Sequence, residues 1–169
     1  MPHNGFTHES THNETHEWYT PRPIFDALGL EFDMDVCSPG ADIVPWIPAK
    51  DHVTVSRNGL SCEWSGRVWM NPPYGQETPF WMKRFAEHRN GVALVFSRTD
   101  TSWFHEWATR CDALLFLRGR IAFIPADPGK KASSAGCGSL LCACGDASVN
   151  AIAKMDGFFM QVKDETRCE

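Results

Sequence analysis

Apolar positions change their spacing several times along the chain, and each spacing predicts an element. Ile24, Phe25, Ala27 and Leu28 recur at helical intervals; Pro21 and Pro23 suit a first helical turn, and Gly29 closes the helix. Phe32, Met34 and Val36 then alternate with Glu31, Asp33 and Asp35, which is a strand pattern. Residues 37–63 read as irregular, with four prolines or glycines among the first twelve. A short strand is predicted over 67–70. A helix follows over 78–88, with Phe80, Trp81, Phe85 and Ala86 as its apolar set. The apolar, β-rich run 92–96 has the character of a buried parallel strand. Residues 102–109 predict a helix capped by Ser102 or Asp100. A strand over 113–117, a turn at Arg118-Gly119 and a return strand over 120–124 make a hairpin. Residues 125–136 form a loop, and 139–144 a last strand.

Strands alternating with helices across short connections imply an α/β sheet with helices on both faces. Ligands in such sheets sit at the carboxyl ends of the strands. That rule places the segments after Val36 and after Met70 on one edge. The organisation read from the pattern is an arm over 1–16, a catalytic domain over 17–153 and a partly ordered tail over 154–169. His8, His12 and His16 would share one face of a helix and reach a metal there. Their segment is too polar and too rich in Asn, Gly, Thr and Ser for a helix, so a solvated tail is the preferred reading.

Composition narrows the function classes. A chain of 169 residues, 43% hydrophobic, buries one real core. No apolar run reaches the ~18 residues of a membrane span. Met1 to Glu17 is polar, so no secretory leader is expected, and the seven cysteines read as thiols in a reducing cytosol. A net charge of −5 argues against broad binding to a polyanion. A nucleic-acid enzyme of this charge needs local basic groups, and Lys83-Arg84, Arg118 with Arg120, and Lys130-Lys131 are the candidates. The seven tryptophans are mostly core residues; Trp69 and Trp81 flank the motif described next and are also placed to face a planar ligand.

Asn71-Pro72-Pro73-Tyr74 directly follows the apolar run Val68-Trp69-Met70. An exocyclic amine on an aromatic base is a poor nucleophile because its lone pair is delocalised. Acceptors on both amine hydrogens favour a pyramidal nitrogen and support the charge that grows in the transition state. The Asn71 side-chain oxygen is one such acceptor and the Pro72 carbonyl the other. Pro72 has a locked φ and is followed by a second proline, so its carbonyl direction is set in advance. Tyr74 offers a face for stacking on an extruded base, and Gly75 lets the chain turn away. No general base is required, since the methylated amine loses its proton readily. A Pro-Pro pair alone would be a rigid turn; strand, Asn, two prolines and an aromatic together point to chemistry.

On the preceding strand, Asp35 stands just before Cys37-Ser38-Pro39-Gly40. In a central strand a buried carboxylate needs a partner, and a cofactor's ammonium group is one. An edge strand with one solvated face explains the same residues, and the strand alone does not choose.

These residues resemble the phage-type Dam-like DNA N6-adenine methyltransferases. The pieces are Glu17-Trp18-Tyr19-Thr20-Pro21, Phe32 to Cys37, Asn58-Gly59-Leu60 with Trp64, Val68 to Gly75, Arg98-Thr99-Asp100-Thr101 with Trp103-Phe104-His105, and Arg118 to Phe123. The resemblance implies a Rossmann-like methyltransferase fold that uses S-adenosylmethionine to methylate the N6 amine of adenine in DNA. A phage-encoded modification enzyme in the cytoplasm of a bacterial host is the setting it implies. It places Thr20 and Pro21 beside the cofactor, Asp35 in the first cofactor loop, and Asn71 to Tyr74 at the reacting amine; Cys37, Ser38 and Asn71 are further candidate cofactor contacts. Asn58 and Glu63 stand where many relatives carry Asp, and Cys137, Cys142 and Cys144 are outside the pattern. Those three cysteines read as buried thiols rather than a metal site, because the paired spacing of zinc ligands is missing.

Arg98, Arg118, Arg120, Lys130 and Lys131 are the candidate contacts to DNA phosphates; a plain hairpin with exposed arginines accounts for Arg118 and Arg120 equally well. The tetrapeptide also fits cytosine N4, RNA or a glutamine side chain. A catalytically silent nucleic-acid-binding relative and a metal-dependent regulator are the other classes. Sequence readout of DNA would have to come from short loops, with 50–58 and 125–134 the candidates.

Overall fold

The computed structural model describes residues 18–127, 129, 131 and 133–162; the histidine arm and Lys130 lie outside them. Along the described chain come β1 (Trp18–Tyr19), α1 (Arg22–Leu28), β2 (Phe32–Asp35), β3 (Ala49–His52), β4 (Val68–Met70), α2 (Thr78–His88) and β5 (Gly91–Phe96). They are followed by α3 (Ser102–Glu106), β6 (Ala113–Leu117), β7 (Ala122–Pro125), β8 (Ser133–Ser134), β9 (Ser139–Cys144), α4 (Asp146–Ile152) and β10 (Gly157–Gln161). Single 3-10 turns lie at Val55–Arg57 and Ala108–Arg110.

Seven strands make a mixed sheet in the order β10-β6-β9-β5-β4-β2-β3. Neighbours among β3, β2, β4 and β5 are parallel. β9 is antiparallel to both β5 and β6, so β6 runs with the parallel set. A separate three-stranded sheet has the order β1-β7-β8. The main sheet is covered on both faces. Trp81, Met82 and Phe85 of α2 and Trp103 and Phe104 of α3 pack with Val68, Met70, Val95 and Leu140. On the other face Phe25 and Leu28 of α1 and Ala151 and Ile152 of α4 pack with Phe32, Trp69, Leu94 and Leu141.

Local sequence accounts for the end of α1. Gly29, at φ 58°, takes the left-handed cap of α1 and its N–H donates to the Phe25 carbonyl. α3 stops at Glu106 and continues as a 3-10 turn, so the helix is shorter than the periodicity predicts. Its N-cap is Thr101 rather than Ser102 or Asp100, and the Thr101 hydroxyl donates to the Arg98 carbonyl at 2.7 Å.

Long-range pairing overrides the predicted pattern in two places, the hairpin over 113–124 and the irregular stretch 37–63. The hairpin over 113–124 does not form: β6 pairs with β9 and β10, while β7 turns away at Gly119 to pair with β1 and β8. The strand predicted over 139–144 forms as β9, inside the sheet between β6 and β5, and all six of its residues are buried. Within 37–63, β3 forms the outer parallel strand although its Ala-Lys-Asp-His sequence has no strand pattern. Beyond residue 153, β10 pairs along the full length of β6, with Phe158 against Phe116 and Met160 against Leu114.

β2 is an inner strand, between β4 and β3. The N–H groups of Asp33 and Met34 both point at the Arg67 carbonyl, at 2.7 and 3.4 Å. Two donors on one acceptor mark a bulge. Phe32 therefore joins one face of the sheet and Met34 the other. Asp33 is taken up by Lys50 and the Arg67 N–H, both at 2.8 Å, whereas Asp35 comes into register with Trp69 and His52.

Candidate active site

Parallel strands end together, so the residues after β2, β3, β4 and β5 converge on one edge. Asn71 leaves β4 there and is held at both ends of its amide. Its Nδ2 donates to the Trp18 carbonyl at 3.3 Å, and its Oδ1 accepts the Tyr74 hydroxyl at 2.9 Å. The first bond ties the tetrapeptide to β1. Pro72 is buried and Pro73 exposed. Thr78 Oγ1 accepts the Gly75 N–H at 3.1 Å and donates to the Pro73 carbonyl at 3.4 Å, which fastens the loop to the start of α2.

The Tyr74 ring lies on Phe96 with centroids 3.8 Å apart and planes 14° apart. Burial pushes its hydroxyl far above the ordinary tyrosine range, so it remains a proton donor. Phe96 is the last residue of β5 and escaped the sequence reading, because nothing in a buried apolar run distinguishes its final ring.

Thr20 and Pro21 follow β1 directly. Trp46 Nε1 donates to the Thr20 carbonyl at 2.9 Å. The Thr20 side chain is buried, and its Oγ1 has no hydrogen-bond partner among the described residues.

Asp35 is 2% exposed. Its Oδ1 accepts the Cys37 N–H at 3.2 Å. Burial pushes its carboxyl up to about 7, against the pull of the Cys37 N–H and the Ser38 hydroxyl. Ser38 is buried too; its Oγ lies 2.7 Å from His52 Nδ1 and accepts the Gly40 N–H at 3.1 Å. His52 belongs to the stretch read as irregular, so no pattern placed it beside Asp35. Burial drives the Cys37 thiol well above its usual range, which keeps it protonated and unreactive.

The loop 53–62 is packed against this edge. Arg84 reaches the carbonyls of Leu60 and Cys62 and lies over the Trp64 ring, 4.8 Å from its centroid. Gly59 sits so close that a Cβ would fall 2.1 Å from the Val36 carbonyl oxygen and 2.7 Å from the Trp81 ring. Gly59→Ala is accordingly expected to cost about 1–3 kcal/mol of stability, read as a lowered midpoint in chemical denaturation; an unchanged midpoint would mean that the loop moves aside freely. Trp81 stacks on Trp64 at 6.4 Å, and Trp69 packs edge-on to Phe25 at 4.7 Å. Both tryptophans are core residues.

Arg98 follows β5, and Arg118 and Arg120 follow β6, so all three stand exposed at the same edge. Arg118 is paired with Asp156 at 3.0 Å. Lys131 is exposed in the β7–β8 connection, whereas Lys130 lies outside the described residues. Cys142 and Cys144 are buried free thiols in the sheet core, with Cys111 against them; Cys137 is half-buried. Among the described residues, no helix is long and apolar enough to cross a membrane.

Comparison with known proteins bears on this arrangement. The DNA N-6-adenine-methyltransferase of Haemophilus phage HP1 is 27% identical over 124 residues, which cover 68% of this chain and 69% of that protein. No solved structure matches. The family model described as DNA N-6-adenine-methyltransferase (Dam) matches residues 8–150, a span that contains Thr20, Asp35 and the whole Asn71 to Tyr74 loop. Matched across that span, the chain belongs to the DNA N-6-adenine-methyltransferase (Dam) family.

Proposed function

We propose that this protein transfers a methyl group from S-adenosylmethionine to the N6 amine of adenine in DNA, on a Rossmann-like methyltransferase sheet. The observation that carries the reading is Asn71, whose amide is clamped at both ends so that its oxygen stays at the carboxyl edge of the sheet. A preorganised acceptor of this kind needs no reorganisation when charge develops on the amine. The Pro72 carbonyl is the second acceptor. S-adenosylmethionine, when bound, supplies the electrophilic methyl group.

The chain's own groups fit that cofactor. Asp35 is a buried carboxylate suited to an ammonium group, and the buried Thr20 hydroxyl has a donor and acceptor to spend. Pro21, Cys37, Ser38 and the Asn71 backbone complete the proposed cofactor wall. Arg98, Arg118, Arg120, Lys130 and Lys131 are the proposed phosphate contacts, with Arg118 exchanging Asp156 for a phosphate. Incubation with labelled S-adenosylmethionine and DNA, then nucleoside analysis, tests the whole reading. Label in N6-methyladenine supports it; label in cytosine, in RNA only, or nowhere overturns it.

Tyr74 yields a separate expectation. Its ring supplies the stacking face, while the bond from Asn71 to Trp18 holds the amide even without the tyrosine hydroxyl. Tyr74→Phe should therefore retain turnover within about tenfold and Tyr74→Ala should lose roughly a hundredfold. Single-turnover methylation would show it, and equal losses in the two variants would transfer the role from the ring to the hydroxyl.

A further inference from the structure

Three side chains at the end of β2 and β3 form a chain of contacts that amine methylation itself does not use. Asp35 and His52 are register partners. His52 Nδ1 lies 3.8 Å from Asp35 Oδ2, beyond hydrogen-bond reach. Ser38 Oγ is 2.7 Å from Nδ1, and hydrogen bonding from its hydroxyl also pulls the Asp35 carboxyl down. One hydroxyl carries one proton, so Ser38 can donate to the imidazole or to the carboxylate but not to both.

We propose that His52 is a positioning residue for the cofactor's ammonium group, deciding through the single proton of Ser38 whether Asp35 is left open to a cation. The proposal rests on the reading of Asp35 as the ammonium acceptor. With His52 neutral, its Nδ1 lone pair takes the Ser38 proton. Asp35 then keeps only the Cys37 N–H at 3.2 Å, and a buried carboxylate so poorly served favours an incoming cation. With His52 protonated, Nδ1–H donates to Ser38 Oγ, and the Ser38 proton turns to Asp35. The carboxylate is satisfied and a positive ring stands 3.8 Å away. A proton on His52 and the cofactor's ammonium thus compete for one carboxylate.

The neighbours leave this competition to the trio. Asp51, next to His52, is paired with Arg57 at 2.6 Å, and Asp33 with Lys50 at 2.8 Å. The Ala49 carbonyl and Asp51 favour a proton on the His52 ring, against the larger effect of burial. The Cys37 thiol, flanked by Cys62 and Glu77, stays protonated. Burial lowers the His52 pKa, which keeps the ring neutral at neutral pH.

The test is calorimetric affinity for S-adenosylmethionine from about pH 5.5 to pH 8.5 in the wild type, His52→Asn and His52→Phe. The Asn oxygen can stand near the Nδ1 position and accept from Ser38 but takes up no proton. His52→Asn should match the wild type at high pH. In acid its affinity should fall about tenfold per pH unit, where the wild type, losing a second site to protons, approaches about a hundredfold. His52→Phe leaves the Ser38 proton on Asp35 and should bind about tenfold more weakly even at high pH. A two-proton slope in His52→Asn, or wild-type affinity and profile in His52→Phe, overturns the proposal. No binding by the wild type at any pH sinks the cofactor reading itself. Even then, the Asp35 carboxyl titration of the protein alone, followed by carbon NMR, judges the contact chain. It should move to lower pH in His52→Phe, and no movement removes His52 from the network.

Discussion

Replacing Asn71 with Ala is expected to abolish methyl transfer while leaving cofactor affinity within about twofold of wild type. The loss of one preorganised acceptor costs ~3 kcal/mol of transition-state stabilisation, a rate factor of roughly a hundred or more. The fold makes the effect specific. Asn71 Oδ1 is oriented by the Tyr74 hydroxyl and Nδ2 by the Trp18 carbonyl, so the amide does not rotate to present its NH₂ group instead. Asn71→Asp keeps an oxygen at the Oδ1 position and should retain part of the rate, although its second oxygen now faces the Trp18 carbonyl without a donor. Single-turnover methylation of duplex DNA, with cofactor affinity measured on the same preparations, separates the cases. Wild-type turnover in Asn71→Ala would reduce the tetrapeptide to a turn.

Asp35→Asn should have two large and opposite consequences. The first is loss of cofactor binding, since an amide offers no charge to an ammonium group. The second is a more stable protein at high pH. The Asp35 carboxyl is pushed up to about 7 in the folded chain from an ordinary value of 3.8. A raised carboxyl favours the folded state when it is protonated. That stability is fully present below about pH 4, declines as the pH rises towards 7, and stays lost above it. The total is on the order of 4 kcal/mol, at ~1.4 kcal/mol for each tenfold change in proton affinity. Thermal melts of wild type and Asp35→Asn without cofactor should therefore lie close together at low pH and separate by several degrees or more above pH 7, with the variant higher. By the same sign, wild-type affinity for the cofactor should fall at least tenfold per pH unit below about 7. A variant less stable than wild type at high pH would show that Asp35 is a structural anchor instead of a charge held for a ligand.

Local sequence determined those features whose physics is local. The clamp at Gly29, the helix of 78–88, the buried strand before Ser97 and the rigid Asn71 to Tyr74 loop all follow from residue type and spacing. The carboxyl-edge rule for parallel strands then brings Asp35 and Asn71 to one side of the sheet. Tertiary structure decided the rest. The bulge at Asp33 sends two carboxylates of one strand to different environments, one to Lys50 and solvent, the other into the core. Strict alternation along 31–36 contains no trace of it, because a bulge is set by pairing with β4. β3 is a strand only because β2 supplies the ladder for its polar sequence, and with β3 comes His52. The place of β9 between β5 and β6 is likewise a matter of pairing, since its own sequence marks it only as a buried strand. Amphipathic period and turn chemistry act over a few residues and are written in the chain; which strand meets which is settled by burial across the whole sheet.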